Sequence, residues 1–572
     1  MKLAGLAASV ALALAAPAAA QDRPAIRVTL KPIGTTPDRL EVTSVISGLT
    51  AAADRPFLQV AAQIASIPGQ PYASADIAAE DDLGPLPVTV TLGANDGSGF
   101  GGQRLVVAAR ASKGDIRLRY TAGIVQAMTP RPVGPSFDLR GLDGGFAGGG
   151  ATFLLLPTDA RTYRLEVRWD LPPGAIGVSN LGLGDVSTEG PVSRLMSAQF
   201  IAGNLGFYRA DGAAPFAAFW IGRPNFDAPA TMAWSSRSYA ELRTFFGDAD
   251  ARPYFIFGRP FPNARDAGVA TDHAFVIEYG TAGRTEAAMR FMFTHEMFHH
   301  FVGSLQGPPG VSSWFGEGLA EIYKIRLPLR AGLVSPADYA EEVRTMTDAY
   351  YGNPRNRLPN AAIPAEYWRD SLVQLLPYNR GMIYFADVDA KVRAASGGRR
   401  SLDDLVLAMV QSRRDGRGYD EARWRDLIRA ELGEAGVADF QRMLAGELIV
   451  PASDAFGPCL QRRTLSRAQA GLGFADRSLI IEPYTVMGLA AGSPAAQAGL
   501  REGDRILRWR GAERSNLHST PSFVLAPTVT VEVEREGRVT PISFTTRGAP
   551  VTQYKWRLKR GAKACAIPPS RQ

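Results

Sequence analysis

Apolar positions along the chain change period twice. From residue 21 to about 189 they come in short runs broken by Pro, Gly and Asp: AIRVTLKP, DRLEVTSVIS, LPVTVTLGA, QRLVVAAR, DIRLRYTAGIVQ, ATFLLLP and YRLEVRWDLP. Several alternate with period two and are rich in Val, Leu and Thr, which predicts the strands of a β-sandwich. Residues 190–284 carry mixed signals, with a helix at SRSYAELRTFFGD (235–247) and an aromatic strand at RPYFIFGRPF (252–261). From Thr285 the period becomes 3.6. No Pro or Gly interrupts Thr285 to Val302, and Ala287, Met289, Phe293, Met297 and Phe298 predict a buried helix. The Gly/Pro-rich turn GSLQGPPG (303–310) lets the chain reverse into a second helix at WFGEGLAEIY (314–323). Four more segments keep the helical period to about residue 450: PADYAEEVRTMTDAYYG, RGMIYFADVDAKVRAA, LDDLVLAMVQSRR and DEARWRDLIRAELGEAGVADFQRMLAG. In SGGRRSLDD, Ser401 is the expected N-cap. The fold class is therefore α+β and multidomain.

Length and charge narrow the picture. A chain of 572 residues has room for three or four domains. The formal net charge is +7, from 63 Lys and Arg against 56 Asp and Glu, but the arginines are scattered among acids. That pattern fits a basic surface and argues against a nucleic-acid footprint. MKLAGLAASVALALAAPAAA has one Lys, an apolar run and an A-x-A ending at Ala20, so residues 1–20 read as a signal peptide cleaved before Gln21. The mature chain is expected to be periplasmic or secreted, without a transmembrane anchor. In that oxidising setting the two cysteines, Cys459 and Cys565, are expected to form a disulfide closing the last domain. The glycine tract GLDGGFAGGGATF (141–153) lacks both a following helix and a P-loop Lys. It reads as a flexible loop near the cleft, not a phosphate cradle.

The chemistry concentrates in HEMFH. His295 and His299 are four apart and share a helix face, so two imidazoles can grip one metal ion, with Glu296 within reach of its water. Only five histidines occur in the chain and three fall between 295 and 300. A third ligand is needed. Glu317 lies 18 residues after His299 on the second helix; Glu321 is one turn further. Glu321 is an alternative ligand, but the more economical reading has it accepting a hydrogen bond from a ligating imidazole.

HEMFHH followed by GEGLAEIY resembles the gluzincin metallopeptidases. PYNRGMIYFADVDAKVRAASGGRRSLDDLV (377–406) is similar to the Y-x-K-G segment and following helix of the glycyl aminopeptidase family within that group. The resemblance runs from about residue 190 to 550. It implies one Zn2+ per chain on His295, His299 and Glu317, Glu296 as general base and Tyr378 as oxyanion stabiliser, with Arg380 where the family has lysine. It implies a thermolysin-like domain over 190–457, in which a mixed sheet and a helical lobe flank the metal and the sheet's edge strand holds the peptide. Before it stands the β-sandwich domain (21–189). After it, 458–572 looks like a PDZ domain and tail, from AGLGF (470–474) and GSPAAQAGLREGDRILRWRG (492–511). Gly471, Leu472, Gly473 and Phe474 then form a loop able to receive a peptide C-terminus. The family's G-G-L-E-H-like segment, whose carboxylate anchors the substrate amine, corresponds loosely to DAGVATDHAFVIEYG (266–280), with Asp272 beside His273 as the nearest match and Glu278 as the other candidate. The expected activity is aminopeptidase action on small N-terminal residues. The alternative is an altered peptidase acting as a peptide-binding or chaperone-like PDZ protein.

Overall fold

The computed structural model describes residues 24–562 and Cys565, apart from 35–37, 65–66, 94–101, 130–134, 143, 213, 263–265, 282–284 and 515–522. The expected signal peptide lies outside the described residues. Strand Ala25–Ile33 pairs antiparallel with Arg39–Ser47 and parallel with Thr162–Trp169. Ile116–Gly123 continues beyond Arg39–Ser47, and the sheet reaches seven strands. A four-stranded sheet built on Pro56–Ala61, Gln103–Ala108 and Val88–Leu92 faces it. The two share a core that includes Ile26, Val28, Val42, Leu118, Leu165, Phe57, Leu58 and Val106, so period-two alternation did mark the inward faces.

Two expectations fail in this region. ATFLLLP is mostly not a strand: Gly150–Thr152 is a 3-10 turn, and only Leu156–Pro157 pairs. Its Phe153, Leu154 and Leu155 plug the core from irregular backbone, so apolarity there reports burial and not extension. The glycine tract is no flexible loop either. Gly145–Gly149 is a fully buried strand between Arg140–Leu142 and Gln199–Gly203. Its glycines let neighbouring chain come close: a Cβ on Gly148 would lie 2.9 Å from the Leu139 Cα. Gln199–Gly203 also pairs with Ile176–Ser179, so this third sheet runs past the boundary expected at residue 189.

The next sheet carries the site. Phe216–Trp220, Tyr254–Pro260 and Ala274–Tyr279 are parallel neighbours, with Gly206–Ala210 at one edge and antiparallel Ala267–Thr271 at the other. Helix Ala228–Phe246, capped by Asp227 and longer than its pattern suggested, and the histidine helix Glu286–Phe301 share one apolar core with this sheet. The helical lobe follows: the glutamate helix Ser313–Arg330, then Pro336–Gly352, the tyrosine helix Leu376–Ser396, Leu402–Arg414 and Glu421–Leu444, the last broken at Gly433. Ser401 caps Leu402–Arg414 in a capping box with Asp404.

The C-terminal module pairs Leu460–Ala470 with Arg547–Leu558 and builds a three-stranded sheet from Arg505–Arg514, Phe523–Arg535 and Arg538–Thr545. Among its described residues the helical pieces are Pro494–Gln497 and the 3-10 turn Asp476–Leu479. Cys459 and Cys565 are joined by a disulfide. Trp556 lies 6.4 Å from Tyr351 ring to ring, and Lys555 Nζ reaches Asp348 at 2.6 Å, docking the module on helix Pro336–Gly352. Among the described residues no helix is long and apolar enough to cross a membrane.

Candidate metal centre

The histidine helix starts at Thr285, whose hydroxyl accepts from the Ala288 N–H, and buries Phe291, Phe293, Met297, Phe298 and Phe301 against the sheet and its neighbours. With the helix thus anchored, His295 and His299 face the glutamate helix. Their Nε2 atoms are 3.1 Å apart, and Glu317 Oε2 lies 3.2 Å from His295 Nε2 and 3.3 Å from His299 Nε2. Donors about 2.1 Å from a tetrahedral ion sit roughly 3.4 Å from one another. Two imidazole nitrogens and a carboxylate oxygen closed to that spacing therefore fit a zinc ion held by three protein donors. Among the described residues this is the one cluster of its kind.

Glu321 does not join that triangle. Its Oε1 lies 2.8 Å from His295 Nδ1, on the far side of the ring, and its Oε2 is 2.7 Å from Lys324 Nζ, which also meets Glu342 at 2.9 Å. Such a carboxylate fixes the ring's orientation and leaves Nε2 for the metal. The charges agree. Burial pulls His295 down, but Glu317 and Glu321 outweigh it and hold the imidazole up at about 10. Burial raises Glu317, yet the two histidines bring it well below the ordinary carboxylate range. Glu321, raised by burial and lowered more by Lys324 and His295, comes to about 2. Both carboxylates are thus anions at neutral pH.

Glu296 sits beside the edge strand. A Cβ on Gly268 would come within 2.6 Å of Glu296 Oε1, so glycine is what admits the carboxylate there. Tyr378 comes from the tyrosine helix, its ring stacked on His295 at 5.7 Å. Burial, then the charge of Glu317 and the nearby Tyr367, raise its phenol far above 10, so it is a hydrogen-bond donor throughout the neutral range.

Other predicted residues go elsewhere. Arg380 is fully buried and holds the preceding loop, donating to the Asn356 carbonyl at 2.9 Å and the Leu358 carbonyl at 2.7 Å, so its charge is structural. Glu278 is buried against Arg259, with Oε1 accepting at 2.9 and 2.6 Å. Asp272 occupies the two-residue turn that ends the edge strand, half-exposed and 3.9 Å from Arg252. His273, at φ 51°, is buried with its ring 4.2 Å from that of His300. Gly471, Leu472, Gly473 and Phe474 follow strand Leu460–Ala470, where Gly471 N–H donates to Thr546 and Gly473 carbonyl accepts from Ala490. Leu472 and Phe474 are core residues of the module. Sequence reasoning missed Gly268, Lys324 and Tyr367. Of these, only Lys324 carried a signal, three residues after Glu321 on one helix.

No family model matches the sequence, and no curated protein does. Solved structures match in fold. An aminopeptidase N family protein from Idiomarina loihiensis superposes with a TM-score of 0.64 at 13% identity, covering 94% of this chain and 98% of its own. An M1 zinc metallopeptidase from Deinococcus radiodurans, as a mutant bound to a Tyr-Ser-Ala substrate, covers 75% of this chain and 96% of its own at 17% identity, with a TM-score of 0.48. The first likeness extends the shared fold over nearly the whole chain.

Proposed function

We propose that the chain is a zinc metallopeptidase with one Zn2+ on His295, His299 and Glu317. The carrying observation is the mutual 3.1–3.3 Å spacing of those three donors. Lewis acidity at the scissile carbonyl and a more acidic water are what the ion supplies when bound. The rest falls to the protein. Glu296 takes a proton from the attacking water and returns it to the leaving amine. Tyr378 donates to the developing oxyanion, a kind of bond worth about 3–4 kcal/mol. The edge strand Ala267–Thr271 holds the peptide backbone, and an antiparallel peptide would put its amino end toward Thr271 and Asp272.

The reading favoured here is an aminopeptidase for small N-terminal residues, anchored at Asp272. A second reading, an endopeptidase, is supported by the position of Asp272. Four residues along the strand from Gly268 is about 13 Å at ~3.3 Å per residue, and Arg252 offsets part of its charge. Export behind the 1–20 leader and a PDZ-like role for Gly471–Phe474 toward peptide C-termini remain part of the proposal. The alternative to it is a catalytically altered peptidase acting as a peptide-binding or chaperone-like protein. Digestion of an unbiased peptide mixture, with and without a chelator and read by mass spectrometry, tests it. Chelator-sensitive cleavage is expected, and its complete absence in zinc-loaded protein overturns the peptidase reading.

A further inference from the structure

The 3-10 turn Asp476–Leu479 comes directly after the loop Gly471–Phe474, and it does not serve the module alone. It inserts two charged side chains into the helical lobe, both almost fully buried. Asp476 accepts from the Ser371 N–H at 2.9 Å and from the Ser371 hydroxyl. Arg477 donates through Nη1 to the Trp368 carbonyl at 2.6 Å and through Nη2 to Gln374 Oε1, with its guanidinium 5.8 Å from the Trp368 ring. Gln374 lies close enough to the Tyr367 hydroxyl to pull its pKa down, and that oxygen lies 3.4 Å from the Tyr378 oxygen. A path of polar side chains therefore leads from the C-terminal module to the phenol stacked on His295.

We propose that Arg477 is a positioning residue for Tyr378, acting through Gln374 and Tyr367. This rests on the reading of Tyr378 as the oxyanion donor. The donor inventory gives the chain a direction. A guanidinium has no acceptor, so it holds the Gln374 amide with Oε1 toward Arg477. The amide N–H2 then faces Tyr367 and donates to its oxygen. Either phenol can donate across that 3.4 Å contact; in the proposed relay Tyr367 donates to the Tyr378 oxygen, which leaves the Tyr378 O–H to point at the reacting carbonyl. Burial and the charge of Glu317, against the pull of Tyr378 and Gln374, put Tyr367 at about 12, so it stays protonated at working pH. Loss of Arg477 frees the amide to flip, and the phenol then samples orientations that do not serve the oxyanion.

The test uses the full chain with 3-fluorotyrosine placed at position 378 and follows its 19F resonance in metal-free and zinc-loaded protein. Arg477→Lys and Gln374→Leu should each move the resonance by more than its linewidth, in the same direction. The double variant should move it no further than the larger single change, as expected for groups acting as one unit. Arg508→Ala, exposed on the same module, should leave it in place. In parallel kcat should fall about tenfold with KM within about twofold, less than the 10²–10³ lost when a donor is removed outright. An unmoved resonance, shifts that add, or a loss confined to KM would overturn the relay. If Arg477→Lys fails to fold, Gln374→Leu alone decides by its own resonance shift and its kcat against KM. A parent protein that hydrolyses no peptide defeats the peptidase reading, and the 19F shift still decides the relay.

Discussion

Replacing Gly381 by alanine probes how the site is held together. The glutamate and tyrosine helices cross with their backbones in contact. A Cβ on Gly381 would lie 2.3 Å from the Trp314 carbonyl oxygen and 2.6 Å from the Gly318 Cα, and a Cβ on Gly318 would lie 2.4 Å from the Gly381 Cα. Backbone atoms cannot rotate away as a side chain can. Restoring ~3.4 Å contacts requires the helices to part by about an ångström, 3.4 minus 2.4. Glu317 precedes Gly318 and Tyr378 is three residues before Gly381, so both move with the helices. Overpacking of this kind costs about 1–3 kcal/mol in stability. The larger effect is on the site, where a misplacement of ~1 Å costs on the order of 10²-fold in rate. We expect Gly381→Ala and Gly318→Ala to stay folded, lose zinc affinity by at least about tenfold and lose most kcat/KM. Calorimetry, competition with a chromophoric chelator and peptide hydrolysis read the three quantities. Gly316→Ala is the control, because a Cβ there meets nothing closer than the Gly303 carbonyl oxygen at 3.9 Å. Unchanged zinc affinity in Gly381→Ala, or equal losses in Gly316→Ala, would refute the argument.

Four further outcomes follow from the same structure. His295→Ala or His299→Ala should abolish stoichiometric zinc by metal analysis and Glu317→Ala should weaken it, whereas Glu321→Ala should spare most of it; the reverse ranking of the glutamates refutes the ligand set. Glu296→Ala should keep zinc and lose nearly all hydrolysis, and Tyr378→Phe should lower kcat more than it changes KM; full activity in either sinks the mechanism. Acetylating the amino end of a cleaved peptide should abolish cleavage, and Asp272→Asn should raise KM for the free amine; interior cuts in the acetylated peptide mean endopeptidase action. Burial and the neighbouring Asp476 raise Asp370 from 3.8 to about 6 against the pull of Arg355. A folded-state value above the unfolded one makes this carboxyl a burden that grows as pH rises through about 6, worth roughly 3 kcal/mol once both states are ionised. Asp370→Asn should therefore raise Tm at pH 8 and change it little at pH 4; a lower Tm at pH 8 contradicts this.

What was legible in the sequence is what a short-range pattern can carry. Two histidines at i and i+4 need only a helix to converge, and the apolar run around them guaranteed one. The strands of the first sheet alternate because one face is buried, so their period shows. Apolar runs without alternation misled: Phe153, Leu154 and Leu155 are core residues on irregular backbone, and the glycine tract is strand because neighbouring chains press against it. Tyr367 and Arg477 were out of reach for a different reason. Their partners lie 11 and 103 residues away, and no local spacing announces such a meeting. Arg380 looked like a retained functional charge and proved to be a clamp on its own loop.

The question of which substrate end is read comes down to two quantities that pull apart. Around the turn at Asp272 stand three carboxylates, Asp248, Asp250 and Asp272, and two guanidiniums, Arg243 and Arg252. Burial first, and then Arg252, lower His273, which leaves it neutral. Two positive charges against three negative leave one negative charge. Arg252 is bonded to Asp250 at 2.8 Å and only 3.9 Å from Asp272, so the surplus resides on Asp272. That charge suits an α-ammonium, although half-exposure keeps the attraction modest. Distance argues the other way. The amine of a first residue lies about 2.5 Å from the carbonyl carbon it precedes, while Asp272 is about 13 Å along the strand from the glycine beside Glu296. An amine held by this carboxylate would belong to a residue some positions upstream of the cut, unless the peptide leaves the strand's register. Under the proposed peptidase reading, charge alone would favour an exopeptidase, and charge at that distance would favour one that counts more than one residue before it cuts.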